Sequence, residues 1–404
     1  MSDIPSYKDE KGISLLAGVY FLFGVSIVNA FGGIWQIAYF SLSVLLILIN
    51  MRFYFPIRGI IPVALSIIYF IVSSGIEGAT GYIRLIIEGS IISSVLIYIF
   101  KVDRREKLAY LLKFFLMAQF FFAIIMLTIP QFRKWLLEYI YISEEYNESA
   151  FVNALLFRGF GISKHHLFGF SVAVSFSVAL LITDSKQSAR CKCMFFLMGL
   201  CLTLLNARIG LLALLISIIW MPFTYSVINT KHFFKIVLFI IFAFSLIYII
   251  TPANYSNVTA DLVLNWLAEG VEQFFNNNEG QATTLSDMRD MIHIPDTIEG
   301  VFFGRDYLCD KSSDCYSDIG FIRLINAGGL ILLTMVVSVW LYFSTAFINR
   351  RQGWSVFMLN TIIFILALWK GEAFSASDYS RIFIIVSLLI VSSKRKEQYE
   401  TTFN

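Results

Sequence analysis

Charge is what this sequence has least of. Asp, Glu, Lys and Arg together supply 15% of its 404 residues, against 58% hydrophobic. Mean hydropathy is +0.74, far outside the range of soluble domains. Segments of about ten residues with alternating polarity, the mark of a membrane barrel, are absent. So are low-complexity tracts, internal repeats and any stretch that could form a separate soluble domain. The chain carries neither a dinucleotide-binding fingerprint nor an Asp-x-Asp metal motif.

What it has instead is a series of apolar runs, most of them about 17–25 residues long. Each of these can cross roughly 30 Å of hydrocarbon as a helix. The expected fold is therefore all-α, a polytopic integral membrane protein with about twelve spans and no second domain. The runs fall near 13–31, 34–51, 59–76, 83–100, 108–129, 167–183, 194–207, 208–228, 233–250, 320–347, 354–369 and 381–393. No cleavage site follows the first run, which reads as an uncleaved anchor.

Charge sets the orientation. With the N-terminus inside, the inner segments hold 19 Lys and Arg against 8 Asp and Glu, and the outer segments the remaining 12 against 20. This positive-inside bias places both termini in the cytoplasm. Cys191 and Cys193 then fall in a basic inner loop and Cys201 in a span. Cys309 and Cys315 share an outer loop, where a disulfide suits an oxidising exterior. The rival, a metal site, lacks a nearby His–Cys spacing to complete it, and no metal is expected.

Two outer segments are long, about 37 residues at 130–166 and about 67 at 251–317. Connections of that length are commonly functional. Trp135, Leu136 and Tyr139, then Leu262, Trp266, Leu267, Val271 and Phe274, recur at helical spacing and predict amphipathic helices on the outer face. Residues 275–281, rich in Asn and Gly, read as a hinge.

The polar interval 286–323 gathers Arg289, Arg305 and Arg323 with His293 and several carboxylates. Ser286 as N-cap and Pro295 as stop predict a helix over 287–294, with Arg289 and His293 on one face. Arg84, Arg133, Arg158, Arg208 and Arg381 are further outer arginines, running against the positive-inside bias. Snorkelling to lipid phosphate is one explanation; convergence on a phosphorylated ligand, which guanidinium grips bidentately, is the other. Arg84 and Glu88, four apart, predict an ion pair within the bundle. Asp318 and Arg323 open the tenth span. Lys370, Gly371 and Glu372, with Asp378 and Arg381, form a charged turn on the same side, and His165 and His166 close the first long loop.

Two stretches have the form Arg, ten residues, Gly: Arg158 to Gly169 and Arg289 to Gly300. They resemble the paired signature in the third and fifth periplasmic loops of the O-antigen polymerase (Wzy-type) family. Asn206-Ala207-Arg208-Ile209-Gly210-Leu211 is similar to a Ser-Arg-x-Gly region of that family and of the O-antigen ligases. Asp318-Ile319-Gly320-Phe321-Ile322-Arg323-Leu324 is similar to its Asp-Ser-Gly-Tyr-x-Arg-Leu stretch. Asn206 and Ile319 depart from the serines common there.

The resemblance implies a metal-independent membrane glycosyltransferase without cofactor. It would join undecaprenyl-diphosphate-linked repeat units at the periplasmic face of a bacterial inner membrane. Arg158, Arg208, Arg289, Arg305, Arg323 and Arg381 would hold diphosphates. His293 is the first choice of base, ahead of His165, His166, Asp318 and Glu372. Membrane lipids and a Wzz-type chain-length regulator are the implied partners, and no nucleic acid. Alternatives are an O-antigen ligase, and a flippase or transporter. The last predicts broken helices and ionisable residues deep in the spans; the sequence places its charges at the outer face and leaves the midplane nearly clean.

Overall fold

The computed structural model describes residues 7–27, 33–102, 104–140, 161–163, 168–184, 186–224, 291–305, 317–348, 354–371, 373–375 and 377–403. Among them every regular element is helical: α1 (Tyr7–Leu22) with a π turn (Phe23–Ile27), α2 (Gly33–Asn50), α3 (Ile57–Tyr98), α4 (Arg105–Thr128) and α5 (Pro130–Ile140). Then follow α6 (Phe168–Thr183), α7 (Ala189–Leu204), α8 (Arg208–Thr224), α9 (Ile298–Phe303), α10 (Gly320–Ser344), α11 (Ser355–Lys370) and α12 (Asp378–Phe403). Among the described residues four stretches, Gly33–Asn50, Ile57–Tyr98, Arg105–Thr128 and Gly320–Phe347, are long and apolar enough to cross a membrane. Shorter apolar helices, among them Gly169–Thr183 and Ser355–Lys370, pack between them. The expected interval 233–250 lies outside the described residues, as do the second amphipathic segment, the hinge and the Cys309–Cys315 pair.

The α3 helix, at 42 residues, would reach about 63 Å if straight, twice the hydrocarbon thickness. It does not run straight. Gly75 has φ 73 and ψ 174, outside helical space, and the chain folds back there. The Ser66 hydroxyl lies 3.0 Å from that of Tyr82, although 16 residues of straight helix would separate them by about 24 Å. Phe70 and Tyr82 pack ring against ring at 5.9 Å. The two arms match the sequence reading of two antiparallel spans, 59–76 and 83–100, with Gly75 making the reversal.

Contacts sort the helix ends into two sets. Glu106 pairs with Lys186 at 3.0 Å, and the Arg52 guanidinium lies 5.9 Å from the Tyr98 ring. Phe55 packs on Phe343, and Lys394 donates to the Ala346 and Ile348 carbonyls at 2.7 and 2.6 Å, capping the chain after α10. All of these residues lie in or beside segments that the sequence reading expects on the inner side. At the opposite end, Gly320 abuts the Gly371 carbonyl and Gly81 faces Ser375. The α10 helix breaks there too, at Gly328 (φ −151, ψ 20) and Gly329 (φ 69, ψ −167). The freed backbone finds partners: Tyr69 donates to the Gly328 carbonyl at 3.1 Å, and the Arg305 N–H to the Asn326 carbonyl at 2.7 Å.

The two glycine breaks differ in their surroundings. A Cβ at Gly75 meets nothing within 4 Å, whereas one at Gly329 overlaps the Phe302 carbonyl. Gly75→Ala therefore loses only the backbone cost of a glycine-only conformation, about 1–3 kcal/mol. Gly329→Ala adds a backbone collision and is the more damaging. Thermal loss of monodisperse protein in detergent measures both, and equal losses contradict this reading.

Candidate functional site

The site is built on a charge cluster between the first, third and last long helices. Glu88 lies ten residues before Tyr98, about 15 Å along the second arm of α3. It is almost fully buried, and it holds two guanidinium groups. Arg84, one turn earlier, donates Nε to Oε1 at 2.5 Å. Arg381, from the first turn of α12, donates Nε to Oε2 at 3.0 Å and bonds the same oxygen through Nη2. Arg381 is completely inaccessible, while the Arg84 side chain remains about a third exposed. The remaining Arg381 nitrogen, Nη1, reaches the Val25 carbonyl at 3.5 Å, in the π turn that ends the first helix. π turns often mark functional positions because they release backbone groups from the regular ladder.

Three residues along, Asp378 extends the cluster. Its Oδ2 accepts from the Ser26 hydroxyl at 3.4 Å and closely from that of Ser163. Ser163 belongs to a buried strip, 161–163, which Gln119 grips from α4. The Gln119 Oε1 accepts the Ile162 N–H at 2.9 Å and its Nε2 donates to the Ile162 carbonyl at 3.4 Å. Gly161 takes φ +58, with no space for a Cβ beside Gln119. The strip 161–163, which begins three residues past Arg158, is thus buried in the bundle beside α12.

The structure modifies several expectations. The Arg84–Glu88 ion pair is present, with Arg381 as a third member that sequence did not pair with it. Because Glu88 occupies Arg381 and the bundle seals it, Arg381 supports the cluster and is not presented to a ligand. The pair is also recessed well inside the helices, so the interior is less clean of charge than the sequence reading held. The helix expected over 287–294 does not extend through 292–294, which run without helical structure into Pro295. Proline disfavours helical geometry in the residue before it, and His293 is exposed on this non-helical strand.

Other expected residues are placed as follows. Asp318 is exposed just before α10, and Arg323 is half-buried in its first turn. Arg305 sits beside the turn of α10 that follows Arg323 through its bond to Asn326. Arg208 opens α8; Gly210 nearby packs without room for a Cβ on Ser171, and its carbonyl accepts from Ser175 at 2.6 Å. Asn206, where the resembled family has Ser, donates to the Leu202 carbonyl at 2.6 Å. Arg158, His165, His166, Arg289, Glu372, Cys309 and Cys315 lie outside the described residues. Arg84 and Arg381 therefore meet at Glu88, whereas Arg305 bonds α10 one turn after Arg323.

Sequence reasoning missed Gln119, Ser26 and Ser163. Gln119 had a signal: a lone amide inside Phe-Phe-Leu-Met-Ala-Gln-Phe-Phe-Phe is costly in a membrane unless it has a partner. The serines had none, since hydroxyls bonded back to their own helix are common across this chain. No family model matches the chain, and no curated protein matches it.

Removing one partner of a buried ion pair strands the other. Glu88→Ala should cost about 3–5 kcal/mol by leaving the Arg381 charge uncompensated. Glu88→Leu combined with Arg381→Met should recover most of that loss. Half-lives at elevated temperature in detergent provide the comparison, and a double variant as weak as the single one contradicts the pairing.

Proposed function

We propose that this chain is a polysaccharide polymerase, joining lipid-diphosphate-linked oligosaccharide repeat units at the extracytoplasmic face of a bacterial inner membrane. In this reading it crosses the membrane twelve times with both termini in the cytoplasm. The supporting observation is the separation of its cations. The lysine-rich ends of the helices meet at one end of the bundle. Arg84, Arg305 and Arg323 stand at or toward the other, where the two Arg-x10-Gly stretches also belong by sequence.

The chemistry needs this arrangement. The bond from the donor sugar C1 to its diphosphate oxygen breaks, and C1 bonds to a hydroxyl oxygen of the acceptor unit. The lipid diphosphate departs with the bonding electrons, and the hydroxyl proton passes to a base. Negative charge grows on the leaving diphosphate, so fixed guanidinium donors favour the transition state over the ground state. Arg158, Arg208, Arg289 and Arg323 are assigned this role; Arg305, which lines a cleft together with Asp296 and Glu299, is not. Arg84 can join them, because its Nη2 is buried and has no hydrogen-bond partner among the described residues. Arg381 acts indirectly, by fixing Glu88 and through it Arg84. His293, exposed and seven residues from Gly300, remains the first choice of base, with Asp318 next.

A flippase for lipid-linked oligosaccharides is the second reading. The broken α10 and the recessed Glu88–Arg381 pair favour it, since transporters use discontinuous helices and buried ionisable groups. Deleting the gene separates the possibilities. Loss of a polymerase leaves surface core carrying one repeat. Loss of a ligase leaves bare core, and loss of a flippase traps repeat units on the inner leaflet. The single-repeat phenotype is expected, and Arg289→Ala should reproduce it with normal protein levels in the membrane; long polymer made by Arg289→Ala removes that residue from the site.

A further inference from the structure

Beside the break in α10 the chain forms an open cleft of about 680 Å³, lined by Pro295, Asp296, Thr297, Glu299, Phe303 and Arg305 among others. We infer that this cleft is a sugar-binding subsite, taking a neutral, hydroxyl-rich residue of the lipid-linked glycan. The inference rests on the polymerase reading above and adds a location for the carbohydrate.

The cleft is held in shape. Thr297 caps α9 by accepting the Gly300 N–H at 3.0 Å. Gly304, at φ +88, leaves no room for a Cβ against Ala327 and Gly328, which fixes the cleft to the broken helix. Arg305 is tethered at both ends, by its N–H to Asn326 and by Nη2 to the Ile294 carbonyl at 3.3 Å.

Its chemistry selects against the other ligand of the proposed reaction. Two carboxylates and one guanidinium line it, a net negative charge that disfavours a diphosphate. No group of three His, Cys, Asp or Glu side chains placed to hold a metal occurs among the described residues. Vicinal hydroxyls suit it well: carboxylates accept their protons, the guanidinium donates to ring or hydroxyl oxygens, and the exposed Phe303 ring offers a face to sugar C–H groups. The setting agrees. Ile298 is 79% exposed and Phe302 48% on the same short helix, an apolar face suited to the membrane surface. That level is where the sugars nearest a lipid diphosphate lie, and Arg323 stands one turn before the Asn326 contact.

The test uses the purified full chain in lipid nanodiscs and two probes. One is the free oligosaccharide, released by mild acid from lipid-linked repeats isolated from a strain lacking this chain; the other is undecaprenyl diphosphate without sugar. Saturation-transfer NMR reports the first and a displacement assay the second. Asp296→Asn with Glu299→Gln should weaken oligosaccharide binding about tenfold or more, and undecaprenyl diphosphate binding by less than about twofold. Phe303→Leu, which keeps the apolar volume, should weaken oligosaccharide binding alone. Thermal stability of each variant must match the native chain. Unchanged oligosaccharide binding, or parallel loss of both probes, overturns the subsite. If that happens while the native chain still builds polymer, the polymerase reading stands; a native chain that neither binds oligosaccharide nor polymerises overturns both.

Discussion

One carboxylate, Glu88, sits inside the bundle between two guanidinium groups, and the surrounding architecture follows from keeping those charges together. A lone charge at that depth is very unfavourable, so each member holds the others in place. Arg381 connects α12 to the second arm of α3 and to the π turn at the end of the first helix. Asp378, one turn away, adds the strip at 161–163 through Ser163, and Gln119 secures that strip to α4. Segments that are distant in sequence are therefore fixed at one level of the bundle.

The cluster also divides the arginines by role. Arg381 is saturated and sealed, so its contribution is positional. Arg84 shares the same carboxylate but is partly open and keeps a donor in reserve. Arg305 and Arg323 lie near the broken α10, where the Asn326 carbonyl accepts the Arg305 N–H. An arrangement with positive groups above and a mixed acidic cleft beside them can separate the diphosphate of a lipid-linked glycan from its sugars. In the proposed reaction that separation lets the leaving group and the acceptor be held by different chemistry.

Much of the helical framework was legible in the sequence, because apolar runs of membrane-spanning length carry their own signal. The fold-back of α3 was readable as two runs, and Gly75 supplies the turn that composition could only imply. The contacts of Lys186 with Glu106 and of Arg52 with Tyr98 join segments that the charge asymmetry groups together. Tertiary pairing was not legible. Spacing revealed Arg84 with Glu88 because one turn of helix joins them, but Arg381 lies 293 residues away and has no local signature. The helix expected over 287–294 does not reach its expected end, since 292–294 run without helical structure into Pro295, and its start lies outside the described residues. Gln119 and Ser163 became meaningful only through their contacts at the strip 161–163.

The most direct measurement supplies the purified chain, reconstituted in lipid vesicles, with a lipid-diphosphate repeat unit and follows product size on a gel. The account predicts a ladder of increasing repeat number with release of undecaprenyl diphosphate. Repeat units that remain single, whether untouched or moved intact across the bilayer, would contradict it.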